Sequence, residues 1–339
     1  MPSTPICLFE DREDCALGVK LLVMSARRHE PGWHFHAFTR NFRRDDLEWL
    51  DRQPNVTLRD DDSTNQSGWS VKPSLLKLLL EENDGDVIWC DSDIILASPV
   101  MGLIDKLAKE VFVATEEYIW GKAKGSRMRT AGWKFKEARP LKSTVNSCLM
   151  RVNKYHLPLL DAWDRKLTSP DYLAAQAAEW SQRPLHLVSD QDVLTALLAS
   201  EEFAAVPLHL LRNGRDIAQC FQEDGYAVHD RLRNAFLRRT PPLVHAQGGK
   251  PWIKGPRASY QQLSPYNRIA APYVKEGSLP DEWLGADDFP ARLMDGLFLH
   301  EPNLRGLLPA VRKTMQRVWR HRPKLPRANP RPAPTQAGG

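Results

Sequence analysis

The chain has 339 residues, 42% hydrophobic and 26% charged, a balance that excludes a disordered protein and leaves room for one large α/β domain or two ordinary ones. Its net charge of +5 is uneven: nine of the 47 Lys and Arg residues follow Glu301 and no acidic residue does, leaving 38 basic against 42 acidic residues in the body. That excludes a nucleic-acid-binding body, whose basic footprint would have to lie on the body itself.

The opening "MPSTPICLFEDRED" has no basic segment ahead of an apolar one, and no apolar run approaches the roughly 20 residues of a spanning helix. A cytoplasmic protein is expected. "PICLFED" predicts a first strand ending at Glu10 and Asp11. "CALGVKLLVMSARRHEP" carries Leu17, Leu21, Leu22 and Met24 at helical spacing and closes before Pro31. "WHFHAFT" then alternates as a second strand. This β-α-β opening predicts an α/β fold with a doubly wound, mostly parallel sheet and flanking helices, whose ligand lies beyond the carboxyl ends of the strands. "DDLEWLDRQ" predicts a helix and "NVTLRD" a strand. "KPSLLKLLLEEN" predicts a helix with Pro73 in its first turn and Leu75, Leu76, Leu79 and Leu80 on one face. "GDVIWCDSDIIL" reads as the next strand. Strands "VFVAT" and "VNSCLMRVN" and helices "YLAAQAAEW" and "SDQDVLTALLAS" follow.

One domain is expected over residues 1–302. Residues 303–321 alternate apolar and basic residues at helical spacing, and 322–339 hold five prolines and predict a disordered tail. The five cysteines (Cys7, Cys15, Cys90, Cys148, Cys220) are scattered and contain no C-x-x-C pair, so buried thiols are expected rather than disulfides or a zinc site.

Four Asp-x-Asp pairs occur: Asp60/Asp62, Asp84/Asp86, Asp91/Asp93 and Asp190/Asp192. Only Asp91 and Asp93 directly follow a strong apolar strand, where a sheet opens onto its ligand crevice. Strand alternation would project both to one side. Carboxylates so close repel unless a cation holds them, and hard divalent ions such as Mg²⁺ or Mn²⁺ take such ligands. The plain alternative is a turn aspartate beside a solvated one.

Three more segments bear on that choice. Asn146 and Ser147 open an apolar strand, where an Asn can bond a hydroxylated ligand or merely a turn. Ser189 or Asp190 can cap the helix that follows, which leaves Gln191 and Asp192 over. "LVHAQGGKPW" places His245, Gly248 and Lys250 together, which would suit a metal-bound diphosphate: an imidazole ligand, a backbone that can approach phosphate, and an ammonium.

In the order "LFED", "DVIWCDSDIIL", "VNSCLM", "SDQDVL" and "HAQGGKPW", over about residues 5–255, the chain resembles the GT-A retaining glycosyltransferases of the glycogenin and bacterial lipopolysaccharide galactosyltransferase type (glycosyltransferase family 8-like). The resemblance implies that Asp91, Asp93 and His245 hold Mn²⁺ or Mg²⁺, bridging the phosphates of a nucleotide-sugar, expected to be UDP-linked. Phe9 and Asp11 would lie near the uracil, Ser92 within the donor site, and Asn146 and Asp190 against the donor sugar. Gln191 would sit beneath the anomeric carbon. Gly248 and Lys250 would meet the diphosphate, and Lys72 would be a basic residue near the donor. Two departures stand out: "HAQGGKPW" is one residue shorter than the family's His-x-x-Gly-x-x-Lys-Pro-Trp, and Cys148 replaces a glycine.

The function implied is transfer of a sugar to a hydroxyl of a glycan or lipid-linked glycan, with retention. Only Gln191 stands at the expected nucleophile position, and an amide is a poor nucleophile, so front-face attack is expected. Between residues 118 and 142 lie eight Lys or Arg with Trp120 and Trp133, which points to an anionic acceptor or else a solvated lid. The basic, apolar segment after Leu304 would suit an anionic membrane surface, placing the protein peripherally on the inner face. The alternatives are a catalytically silent nucleotide-sugar or glycan-binding protein on the same fold and a sugar nucleotidyltransferase. Against the latter, no glycine precedes Gly18 after the first strand.

Overall fold

A computed structural model describes residues 4–59, 66–117, 123–220, 239–253 and 265–284, with isolated positions 230, 233, 234, 236, 237 and 315. Apart from Met315, the expected C-terminal helix and tail lie outside these residues, as does Trp120.

The first half alternates strand and helix as its periodicity requires: β1 (Thr4–Glu10), α1 (Ala16–His29), β2 (Trp33–Thr39), α2 (Arg44–Asp51), β3 (Val56–Arg59), α3 (Lys72–Glu82) and β4 (Val87–Cys90). After β5 (Ile94–Leu96) and α4 (Met101–Ile104) come β6 (Phe112–Glu116), α5 (Arg127–Gly132) and β7 (Val145–Val152). Helices α6 (Leu157–Leu167), α7 (Pro170–Gln176) and α8 (Asp190–Ala199) precede β8 (Leu208–Leu211), β9 (Ile217–Gln219), β10 (Leu243–His245) and α9 (Pro265–Glu276).

Seven strands form the main sheet in the order β3-β2-β1-β4-β7-β6-β8, and β5-β10-β9 form a small second sheet. All main-sheet pairs are parallel except the two made by β7. The chain runs outward from β1 through β2 to β3 and returns on the other side to β4, so the order switches between β1 and β4. A crevice opens at such a point.

Alternation along each strand feeds two cores. Cys7 and Phe9 of β1 and Val87 and Trp89 of β4 pack with Leu75, Leu76, Leu79 and Leu80 of α3. Ile6, Leu8, Ile88 and Cys90 pack with Val19, Leu22 and Val23 of α1. The remaining face of α1, through Leu21 and Met24, meets the small sheet and α9, so α1 is covered on both sides. All five cysteines are buried thiols, as expected.

One expectation fails in detail. "VIWCDSDIIL" is two strands rather than one: β4 ends at Cys90, Asp91–Asp93 form a turn, and β5 enters the second sheet. Strand parity is therefore not what brings the two carboxylates together. The turn lets the two halves of the apolar run join different sheets, while Ile94 and Leu96 still pack in the same core as Ile88 and Cys90.

Candidate active site

A cleft of about 470 Å³ opens at the switch point, lined by residues from both sheets. The twelve residues that the family resemblance assigns to the site all line it: Phe9, Asp11, Lys72, Asp91, Ser92, Asp93, Asn146, Asp190, Gln191, His245, Gly248 and Lys250. The topology explains their convergence. β7 runs antiparallel to β4 and β6, so its first residues, Asn146 and Ser147, lie at the edge where β4 ends. The first turn of α8 brings Asp190 and Gln191 to the same edge. β10 pairs with β5 so that His245 faces Ile94, which sets it beside Asp93; Ala246 N donates to Asp93 O at 2.9 Å.

Ligand atoms of Asp91, Asp93 and His245 lie within 4.8 Å of one another. In the protein alone each carboxylate has its own cations. Asp93 Oδ1 is 3.1 Å from His245 Nε2, and Lys250 Nζ bonds its other oxygen. Burial alone would raise Asp93, but the charges of His245 and Lys250 hold it well below the usual carboxylate range. Burial would lower His245, and Asp93 overrides this to raise it well above 6.5. His245 Nδ1 is 2.6 Å from Gln219 Oε1. The Gln219 amide nitrogen donates to Glu116 O at 3.1 Å, which fixes the amide orientation. Nδ1 therefore carries the hydrogen toward Gln219, and Nε2 faces the aspartates.

Asp91 accepts from Trp89 Nε1 at 2.6 Å and lies 3.0 Å from Lys72. Lys72 opens α3, is buried, and also reaches Ser147 Oγ at 2.9 Å and Asp190 at 3.6 Å. Burial opposes its charge, but Asp190 and Asp91 raise its pKa nonetheless. Asp190, pushed up by burial despite Lys72, accepts from Ser147 Oγ at 2.6 Å. Ser189 occupies the N-cap position of α8 without a capping bond; its hydroxyl donates to Asp192 at 2.7 Å. Asp192 is a structural carboxylate, paired with the fully buried Arg129 at 2.6 Å.

Both departures from the family pattern are accommodated. The shorter motif turns at Gly248, whose φ of 82° lies in the left-handed region that glycine tolerates, and still delivers Lys250 to the cleft. Cys148 is buried, with Sγ 3.2 Å from Thr115 Oγ1 and 3.7 Å from Gln219 Nε2, beneath the His245 support.

Some lining residues were not foreseen. Glu10, buried at the end of β1, takes a two-pronged bond from Arg12, both arms 2.8 Å, and one from Ser92 Oγ at 2.5 Å. Its signal was available: an acid closing an apolar strand at a switch point. Gln247 also lines the cleft. The aromatic rim is Trp69 and Trp180, 39% and 54% exposed and edge-on at 5.8 Å. Trp133, expected to be available for an acceptor, is stacked on Phe135 and covered by Lys166 at 4.7 Å.

No protein-family model matches the chain, and no curated protein matches it in sequence. Solved structures do. The bifunctional glycosyltransferase WbbM is 14% identical with a TM-score of 0.51, covering 81% of this chain and 51% of its own, so this chain spans about half the length of WbbM. An active-site mutant of LgtC is 16% identical with a TM-score of 0.50, covering 83% and 99%. LgtC, described as a galactosyltransferase, in complex with donor and acceptor sugar analogues is 17% identical with a TM-score of 0.48, covering 83% and 99%. The chain has the GT-A glycosyltransferase fold that its motifs imply.

Proposed function

We propose that the protein is a metal-dependent glycosyltransferase moving a hexose from a UDP-linked donor to a hydroxyl of a glycan or lipid-linked glycan, with retention. The observation that carries this reading is the meeting of Asp91, Asp93 and His245 within 4.8 Å at the switch-point cleft. Two carboxylates and an imidazole fit Mn²⁺ or Mg²⁺ better than a soft metal. A bound ion would supply Lewis-acid stabilisation of the departing diphosphate.

The chain's own residues do the rest. Lys250, freed from Asp93, neutralises negative charge growing on the leaving group. Lys72 fixes Asp91 and Asp190 relative to each other before substrate arrives. Asn146 and Asp190 hold the donor sugar, and Gln191 lies under its anomeric carbon. Phe9 and Asp11 form the base end; the Asp11 carboxylate accepts from Gly68 N at 2.7 Å and Arg40 lies over the Phe9 ring at 5.5 Å. The acceptor hydroxyl attacks from the face the diphosphate leaves. The basic segment after Glu301 would hold the enzyme against an anionic membrane carrying a lipid-linked acceptor; among the described residues no helix is long and apolar enough to cross one.

Thermal stability with UDP, with and without Mn²⁺, and with GDP, CDP and ADP as controls tests the donor. Ligand at 100 times its Kd adds about 2.7 kcal/mol, which is several degrees. A rise that needs both UDP and Mn²⁺ is expected. A rise with GDP or CDP instead removes the uridine assignment, and no rise with any nucleotide removes the transferase reading.

A further inference from the structure

Behind the cleft wall lies a carboxylate that the reaction above does not use. Glu117 follows the last residue of β6 and is 6% exposed. Three carboxamides from three different elements donate to it: Asn146 Nδ2 at 2.5 Å, Gln191 Nε2 at 2.7 Å, and Gln247 Nε2 at 2.9 Å to each oxygen. All three carboxamides line the cleft, whereas Glu117 does not. The register explains the meeting: Glu116 pairs with Val145, so Glu117 and Asn146 share the end of the β6–β7 ladder. α8 and the segment after β10 bring the two glutamines to the same point.

A carboxylate accepts and an amide nitrogen donates, so this arrangement decides which way each amide faces. The nitrogen ends are committed to Glu117. Asn146 is held at both ends, since its Oδ1 accepts from Cys148 N at 2.8 Å. Among the described residues no hydrogen bond is made to the oxygen ends of the glutamines. Gln247 Oε1 is buried without a hydrogen-bond partner among the described residues. An acceptor left that way in a cleft wall is unfavourable unless a ligand donates to it. Were Glu117 neutral and amide-like, either glutamine could reverse and offer N–H groups instead.

We propose that Glu117 is a positioning residue, gathering the amide nitrogens of Asn146, Gln191 and Gln247 so that the cleft offers a bound sugar the carbonyl oxygens of Gln191 and Gln247. This rests on the transferase reading and deepens it. Two acceptor oxygens with a negative charge behind them select a ligand rich in hydroxyl donors. They also set the negative ends of two dipoles toward the positive charge that develops on the sugar ring in glycosyl transfer. Glu117 itself stays behind the amides and forms no bond to the sugar.

The test compares E117Q, Q191A and the double variant with the wild type. E117Q is nearly isosteric, and an unchanged thermal shift with UDP and Mn²⁺ confirms that fold and metal site survive. The expected result is a fall in kcat on the order of 100-fold, the scale of losing a preorganised group, with donor KM within about twofold. Because Glu117 acts through Gln191, the double variant loses little more than Q191A alone, a non-additivity that independent roles would not give. Side-chain amide ¹H–¹⁵N signals of Gln191 and Gln247 report the contacts directly, and in E117Q they move toward solvent-like positions and broaden. Signals that stay in place, or fully additive losses, overturn the proposal. So does a donor sugar found covalently attached to Glu117, which would make it the nucleophile. If the amide signals respond to E117Q while the wild type shows neither nucleotide shift nor transfer, the positioning stands and the transferase reading falls.

Discussion

The buried ammonium of Lys72 stands 3.0 Å from Asp91, tying the first residue of α3 to the turn that ends β4. The same ammonium faces buried Asp190 at 3.6 Å. Removing one member of a buried charge cluster leaves the others uncompensated and costs about 3–5 kcal/mol. Lys72→Met is therefore expected to lower the apo melting temperature markedly, and Mn²⁺, by returning positive charge near Asp91, restores part of the loss. A K72M protein as stable as the wild type would show that the cluster is not charged as drawn.

Gln219 touches no cleft surface, yet its carbonyl sets the tautomer of His245. Outer-shell partners of metal-binding histidines are worth about 10–100-fold in affinity. Gln219→Leu should weaken Mn²⁺ binding on that scale, measured by titration of the free ion's EPR signal, with the fold retained. Unchanged affinity would remove His245 from the ligand set.

The charged His245–Asp93–Lys250 cluster gives metal binding a definite pH slope. His245 is raised above its ordinary value, so its protonated form stabilises the metal-free protein below pH 6.5, a contribution lost as pH rises through the folded-state value. A metal takes only the neutral imidazole. Apparent Mn²⁺ affinity should thus climb from pH 6 to pH 8, and calorimetry in buffers of different ionisation enthalpy should show net proton release. Binding without proton release would contradict the assignment.

Gly18 lies in α1, where alanine would ordinarily gain about 1 kcal/mol of helix propensity. A Cβ there would come within 2.8 Å of the Trp252 ring and 2.9 Å of Ser92 O. One is the tryptophan that closes the Lys-Pro-Trp motif, the other the backbone of the Asp-x-Asp turn. Overpacking of this kind costs about 1–3 kcal/mol, so Gly18→Ala should lower stability and weaken the UDP and Mn²⁺ shift together. An alanine that stabilises the protein without touching nucleotide binding would mean that the turn and Trp252 can move apart freely.

Much of the site was readable because the signals were local. Apolar periodicity marked β1, α1, β2, α3 and β4, and the residues closing those strands had to face the crevice of a doubly wound sheet. Asp91, Asp93, His245 and Lys250 each stood in a short stretch whose composition was itself informative. Glu117 and Gln219 gave no such signal, and Gln247 shared the stretch of His245 and Lys250 without being marked by it. Each is an ordinary polar residue beside a strand end, and its role exists only through partners 26 to 130 positions away.

By itself, then, the sequence determined the class of fold, the order of its elements and the residues at the strand ends, since periodicity and strand composition are properties of neighbours along the chain. Only the tertiary structure decided that the apolar run around Asp91 divides between two sheets, that Asp192 belongs to Arg129 rather than to the cleft, and that three carboxamides turn their nitrogens toward Glu117. Those outcomes depend on antiparallel pairing of β7 and β10 and on which buried charges find each other, and pairing across such separations leaves no periodic trace in the chain.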